Sequence, residues 1–205
     1  ILIRNFDNEI TNNIIFGNSS GAGILASIPK KVMGAFAAGG RNICLNETPL
    51  RKFEKNTILH CSIGLYIETR YNPKFLQCLE DNLNNDISVT SKALFSQLQI
   101  KYNTTGIKFN EIGNFEISKC EVIGNKVGIS LTKLVQYNVN SLKSPNFQYN
   151  INNTTISPTL DLNTNFKIGI QLPYSDGLLI DNVDFRDFSI NKDIPNDEVY
   201  CISNF

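Results

Sequence analysis

A short glycine-containing pattern recurs five times along the chain. In each copy, an apolar or small residue precedes a glycine and an apolar residue follows it. The copies are centred on Gly23, Gly64, Gly106, Gly128 and Gly169. These glycines are 41, 42, 22 and 41 residues apart, which predicts a repeating unit of about 21 residues, present once or twice in each interval. A unit this short cannot bury its own apolar side, so several units must stack around a common core.

A second pattern follows the same period. Phe115-x-Ile117-x-x-Cys120-x-Val122 and Leu178-x-Ile180-x-x-Val183-x-Phe185 begin 63 residues apart, which is three units of 21. Each predicts two alternating strands joined by a short bend. Ile14-x-Phe16 is predicted to be a further copy of the second strand. In this pattern Cys120 faces inward, and we interpret it as a small core residue.

Stacked units of short strands predict an all-β fold, and more specifically a right-handed parallel β-helix, a single-stranded solenoid with about 21 residues per coil. Parallel stacking is expected to align the five glycines at the coil corners, where a positive φ is tolerated. Residues 1–205 are predicted to form one β-helix segment of a longer chain, with side loops near 29–55, 71–86 and 142–163. The alternative is a β-sandwich, which has no reason to keep a 21-residue register.

Composition argues against several classes of function. Lys plus Arg and Asp plus Glu both total 19, so the net charge of zero does not favour nucleic acid or an anionic membrane surface as a partner. The sequence contains no apolar run of about 18 residues that could span a bilayer. A single histidine and five cysteines without Cys-x-x-Cys spacing predict neither a metal site nor a redox motif, and no cofactor is expected.

Catalytic residues are not predicted either. Gly17-Asn18-Ser19-Ser20-Gly21 has the spacing of a nucleophile elbow, but that motif needs a helix after the serine and a histidine base within reach. Here Ile24 and Leu25 continue as a strand, so we interpret the segment as a turn. His60, the one available base, is interpreted as structural.

Three aspartates are the remaining candidates for a ligand groove. Asp176, Asp181 and Asp184 could supply oxygen ligands for Ca²⁺ or the acid and base of a polysaccharide-cleaving site. The simpler interpretation is that these aspartates lie on a solvated strand face. Asp181 falls in the predicted bend, and Asp184 lies at an outward position of the alternating strand pattern.

Candidate N-glycosylation sequons begin at Asn18, Asn46, Asn103 and the overlapping pair Asn152 and Asn153. Asn46 and Asn153 fall in predicted loops and are the better acceptors. Asn103 lies three residues before Gly106, so it is also consistent with a structural corner residue.

The order of several motifs resembles that of a known family. They run from Asn12–Gly21 through Cys44, Cys78 and Asn114–Ile117 to Ser175–Phe188. In this order they are similar to the β-helix region of fibrocystin and fibrocystin-like proteins, which is related to the transmembrane and secreted hyaluronidases. The resemblance implies an extracellular or cell-surface glycoprotein, associated with the ciliary membrane in the fibrocystin case. It also implies a disulfide between Cys44 and Cys78, where fibrocystin-like chains carry loop cysteines.

The resemblance and the residues together predict a non-enzymatic module that serves structure or recognition outside the cell. Its expected partners are other extracellular proteins or glycans and neighbouring coils or domains of the same parent chain. One alternative is a carbohydrate-active enzyme that cleaves hyaluronan or another polysaccharide, although the chain has few of the His and Arg residues of the hyaluronidases. A second alternative is a scaffold unit of an extracellular filament.

Overall fold

The computed structural model describes residues 1–17, 20–30, 44–75, 90–136, 149–159, 166–173, 177–188 and 198–204. Within these ranges the regular structure is β-strand, apart from one 3₁₀ turn at Leu45–Glu47. The strands are Leu2–Ile3 (β1), Glu9–Thr11 (β2), Ile14–Phe16 (β3), Ala22–Ala26 (β4), Lys52–Glu54 (β5), Thr57–Leu59 (β6), Ile63–Ile67 (β7), Ala93–Ser96 (β8), Gln99–Lys101 (β9), Thr105–Phe109 (β10), Phe115–Ser118 (β11), Glu121–Asn125 (β12), Val127–Leu131 (β13), Tyr149–Pro158 (β14), Phe166–Leu172 (β15), Leu178–Phe185 (β16) and Glu198–Asn204 (β17).

The strands form two sheets, and every ladder that joins two of them is parallel. The seven-stranded sheet has the order β1-β4-β7-β10-β13-β15-β17. The ten-stranded sheet has the order β2-β5-β8-β11-β14-β12-β9-β6-β3, and β16 pairs with β14. Parallel neighbours need a long connection, and between β4 and β7 that connection supplies β5 and β6 to the other sheet. The predicted all-β class with parallel stacking is confirmed.

The strand register corrects the predicted repeat length. Ala22 of β4 pairs directly with Ile63 of β7, and Ile63 pairs with Thr105 of β10, although these residues are 41 and 42 positions apart. Among the intervals between the repeat glycines, only the one that contains the step from Thr105 to Val127, 22 positions, has the predicted length. The prediction that the long intervals hold two units is therefore wrong, because each interval is one step with about 20 extra residues. Such insertions are tolerated since the entropic cost of closing a loop grows slowly with its length.

Two of the three predicted loops contain strands. β14 lies within 142–163 and occupies the middle of the ten-stranded sheet, and β5 lies at the end of 29–55. The strand β14 was missed because its outward positions are mostly Asn and Thr, and Asn is depleted in strands. Of the third predicted loop, 71–86, the structure describes 71–75, where Tyr71 and Lys74 form isolated bridges to Ile112 and Thr90.

The core consists of apolar side chains that repeat at the same register positions of neighbouring strands. One buried column in the seven-stranded sheet comprises Ile24, Leu65, Ile107, Ile129 and Ile170. In the ten-stranded sheet, Ile58, Ile100, Val122 and Ile156 form another. As a copy of Cys120-x-Val122, Ile14-x-Phe16 is expected to face inward, but Ile58 of this column pairs with Ile15, so that expectation is wrong. Ile14 and Phe16 point outward and are 73% and 70% exposed, because a shift of one residue exchanges the two faces of a strand.

The five glycines of the repeat are aligned as expected, but they do not occupy corners. Each lies inside a strand, and none is among the residues with positive φ. Their role is close backbone approach: a Cβ on Gly106 would lie 2.5 Å from the carbonyl oxygen of Gly128, and one on Gly169 would lie 2.5 Å from that of Cys201. The glycine column therefore lets neighbouring strands approach more closely than any side chain would allow.

The bends in the ten-stranded sheet are made instead by a column of residues in the left-handed region. The φ angles of these residues lie between 47° and 57°. Four of them directly follow the strands β2, β5, β8 and β11, whose ends are aligned, and the other two lie inside β14 and β16. The column comprises Asn12, Lys55, Gln97, Lys119, Asn153 and Asn182. Asparagine tolerates this conformation better than most residues, which accounts for three of the six positions.

We predict that Gly106→Ala lowers the free energy of unfolding by about 1–3 kcal/mol, the usual cost of overpacking a close contact. Its Cβ would collide with backbone of the next strand and also lie 2.7 Å from Val122 Cγ1. Gly21→Ala is the matched control, because a Cβ there has nothing within 4 Å. Denaturant unfolding measures both. Equal midpoints for the two variants would contradict the close-approach role.

Candidate functional site

The outward side of the ten-stranded sheet carries a polar surface along its left-handed bend. We name this surface the polar bend. It comprises Ser118, Asn152, Asn153, Asp181 and Asn182. The Ser118 hydroxyl donates to Asn152 Oδ1 at 2.6 Å, and Asn153 Nδ2 donates to the same oxygen at 3.1 Å. Asn182 Nδ2 donates to Asn153 Oδ1 at 2.6 Å. These side chains meet because parallel strands place equivalent positions about 4.8 Å apart.

A charged pair borders the polar bend. Glu116 accepts hydrogen bonds from Asn152 Nδ2 at 3.1 Å and from Lys92 Nζ at 3.1 Å. Partial burial acts to raise the pKa of Glu116, but the hydrogen bonds from Asn152 and Lys92 and the charge of Lys92 outweigh it, so the pKa is lowered. Glu116 is therefore held as a carboxylate that fixes the amide of Asn152.

Two of the three aspartates proposed for a ligand groove lie on this outward side. Asp181 and Asp184 are exposed, as predicted, on either side of the bend residue Asn182. Asp184 Oδ2 lies 2.6 Å from Arg186 Nε in a largely exposed ion pair, which is worth under about 1 kcal/mol. Asp176 lies outside the described residues. Among the residues that the structure describes, no group of three or more His, Cys, Asp or Glu is arranged to hold a metal ion.

A second exposed surface, which we name the aromatic corner, comprises Phe16, His60 and Tyr102. The rings of His60 and Tyr102 stack with centroids 5.4 Å apart and planes 20° from parallel. Both residues have positive φ, 55° and 60°, and Tyr102 covers Gly124, where a Cβ would lie 2.6 Å from its ring. Phe16 ends β3 and pairs with Leu59, the residue that directly precedes His60. His60 is thus exposed on the surface, in contact with an aromatic partner.

Sequence reasoning missed Phe16 and Tyr102 as surface residues. The available signal was spacing, since His60, Tyr102 and Gly124 are 42 and 22 residues apart, the same intervals that separate Gly64, Gly106 and Gly128. His60 and Tyr102 therefore occupy the same position of the repeat as Gly124, which has a positive φ. Residues at such a position are expected at a bend, where their side chains project to solvent.

Asn103 belongs to a buried amide ladder. Its Oδ1 accepts from the backbone N–H of Cys61 at 2.8 Å, and its Nδ2 donates to Lys101 O and to Asn125 Oδ1, both at 3.0 Å. Both amide hydrogens are therefore used, and the residue is 4% exposed. The geometry favours the corner interpretation of Asn103 over a glycan.

Asn46 is also buried, because two distant segments pack together. It lies in the 3₁₀ turn and is 8% exposed, and its backbone oxygen accepts from Asn72 N at 2.9 Å. Lys74 Nζ, fully buried, lies 3.0 Å from Glu47 Oε1 in the same contact. The expectation that Asn46 is a loop residue open to glycosylation is wrong. Asn153 is exposed, although it lies in β14 and not in a loop, and Asn18 lies outside the described residues.

The cysteines fall into three environments. Cys44 is disulfide-bonded, whereas Cys61, Cys120 and Cys201 are free. The expected partner of Cys44, Cys78, lies outside the described residues, so the pairing stays a prediction. Burial raises the pKa of Cys120 to about 12 and also raises that of Cys61. Neither is a ready nucleophile, and the predicted core position of Cys120 is confirmed.

Comparison with known proteins does not add a functional assignment: no family model, curated protein or solved structure matches the chain. Within the described part of the chain, no helix has the length and apolarity needed to cross a bilayer.

We predict that a thiol reagent modifies the native chain first at Cys201, which is exposed. Cys61 and Cys120 should react only after denaturation, because burial protects them and raises their pKa values. Cys44 should react only after both denaturation and reduction. Peptide mass spectrometry after alkylation measures all four sites. Native Cys120 that reacts as fast as Cys201 would contradict its core position.

Proposed function

We propose that the chain is a right-handed parallel β-helix segment and that it serves structure or recognition outside the cell, as part of a larger fibrocystin-like protein. The architecture is supported by the fixed order in which successive segments of the chain contribute strands to the two sheets. After β4 it supplies β5 and then β6 to the ten-stranded sheet and returns as β7, parallel to β4. The next circuit, through β8 and β9 to β10, repeats this order. Right-handedness follows from the strong preference of parallel crossover connections for that hand.

The observation that carries the proposed role is the aromatic corner, an outward surface on this regular frame that presents His60, Tyr102 and the largely exposed Phe16. Exposed aromatic rings suit the recognition of proteins or glycans. The polar bend is a separate outward surface, whose amide and carboxylate groups are fixed by neighbouring strands. The disulfide at Cys44 fits an oxidising compartment, and the resemblance to fibrocystin-like chains points to the cell surface.

Recognition through the aromatic corner is testable with a closely matched control. The double variant Phe16→Ala/Tyr102→Ala should bind intact epithelial cells about tenfold more weakly than the unaltered, fluorescently labelled chain, because aromatic anchors typically contribute 1 kcal/mol or more. Phe75→Ala removes an aromatic ring that is equally exposed, 70% for both Phe75 and Phe16, but lies elsewhere. Loss of binding after glycosidase or after protease treatment of the cells identifies the class of partner. Equal binding of both variants would exclude the aromatic corner.

The enzymatic alternative makes a different prediction. Size-defined hyaluronan incubated with the chain should keep its length under our proposal. Shortened products that are lost in the Asp181→Ala/Asp184→Ala variant, and retained in the exposed control Asp7→Ala, would overturn the non-enzymatic role and assign cleavage to these two aspartates.

The proposed location is tested separately on the native protein. Antibodies against the 205-residue chain should stain intact, non-permeabilised cells, including their cilia where these are present. Staining that requires permeabilisation, with no protein in the medium, would place the chain inside the cell and contradict the proposal.

A further inference from the structure

We propose that Asn153 carries an N-linked glycan and that this glycan covers the polar bend. The inference rests on the proposed extracellular location. Asn153-Thr154-Thr155 has the Asn-x-Thr sequence of an acceptor. Of the sequon asparagines that the structure describes, Asn153 is the exposed one, while Asn152 is half-buried and the other two are buried.

The geometry of Asn153 leaves its amide nitrogen available for modification. The residue has a φ of 47°, and its place in the left-handed column of the bend directs it outward. Its Oδ1 accepts from Asn182 at 2.6 Å, and one hydrogen of Nδ2 is donated to Asn152 Oδ1. The second Nδ2 hydrogen has no hydrogen bond to the described residues. A glycan that replaces it would preserve both contacts.

The covalent step consumes only that hydrogen. An oligosaccharide is transferred from a lipid-linked diphosphate donor, so a bond forms between Asn153 Nδ2 and the anomeric carbon. The bond from that carbon to the diphosphate oxygen breaks, the lipid diphosphate leaves and the amide releases one proton. The remaining Nδ2 hydrogen can still be donated to Asn152.

The other described sequons lack this freedom. Asn103 uses both Nδ2 hydrogens in the buried amide ladder, so a glycan there would break a hydrogen bond in the interior. Asn46 is enclosed by the contact between the 3₁₀ turn and the segment around Asn72 and Lys74. Asn152 donates its amide to Glu116 and accepts from Ser118, which favours Asn153 within the overlapping pair.

A glycan at this position would shield part of the outward side. Asn153 lies between Asn152 and Thr154, which align with Asp181 and Val183 of β16. The glycan would stand beside Asp181 and restrict access of a polymer to the polar bend. The aromatic corner, at the other end of the short strands β6 and β9, would remain the open recognition surface.

The experiment expresses the whole chain in mammalian cells behind a cleavable secretion signal. Peptides are treated with an amidase that removes N-glycans and converts each occupied Asn to Asp, and occupancy is read by mass spectrometry. We expect occupancy at Asn153 and its absence at Asn46 and Asn103. Thr155→Ala should abolish occupancy at Asn153, whereas Thr155→Ser, which keeps the sequon, should retain it.

Occupancy is measured on both secreted protein and protein retained in the endoplasmic reticulum, so poor secretion does not obscure the result. An unmodified Asn153 in the unaltered chain, or glycans on Asn103 in secreted protein, would overturn the inference. Either result is independent of the proposed location, because this experiment imposes the secretory route, whereas antibody staining of native cells tests where the protein resides.

Discussion

Backbones along the glycine column stack so closely in parallel that this contact sets the register of the neighbouring columns. At Gly64, Gly106, Gly128 and Gly169, the place of the missing β-carbon lies within 2.6 Å of the next strand's carbonyl oxygen. Once these positions are aligned, two further columns are aligned as well, because they lie at fixed short distances from the glycines along the chain. The buried apolar column of the seven-stranded sheet comes one residue after each glycine, and Asn103 and Asn125 of the amide ladder come three residues before Gly106 and Gly128. Register is therefore set by backbone contact and reinforced by apolar burial.

Sequence reasoning identified the parallel alignment because glycine and apolar spacing report it directly. It overestimated the number of repeating units, because each unit carries only one repeat glycine. An insertion of about 20 residues between two such glycines therefore cannot be told from an additional unit. The faces of Ile14 and Phe16 were also misassigned, because two apolar residues cannot fix a register to one position. The Asn-rich strand β14 has the composition of a loop, although its inward residues Tyr149, Ile151 and Ile156 are buried.

Of the candidate surfaces, sequence predicts the features that depend on local alternation and not those that depend on contacts between distant residues. The outward exposure of Asp181 and Asp184 follows from local alternation, which sequence reveals. The burial of Asn46 depends on Lys74 and Asn72, residues that are 28 and 26 positions away and whose contacts no local pattern reports. The stacked rings of His60 and Tyr102 likewise come together only through strand pairing over 42 positions.

The glycine column also limits how the sequence can change. At Gly64, Gly106, Gly128 and Gly169, an atom that a β-carbon would strike is a backbone carbonyl oxygen of the next strand. Every residue type carries that oxygen, so no substitution in the neighbouring strand could make room for the β-carbon. A clash between two side chains can be relieved by a second mutation, but a clash with backbone cannot, and each of these glycines is therefore constrained on its own account.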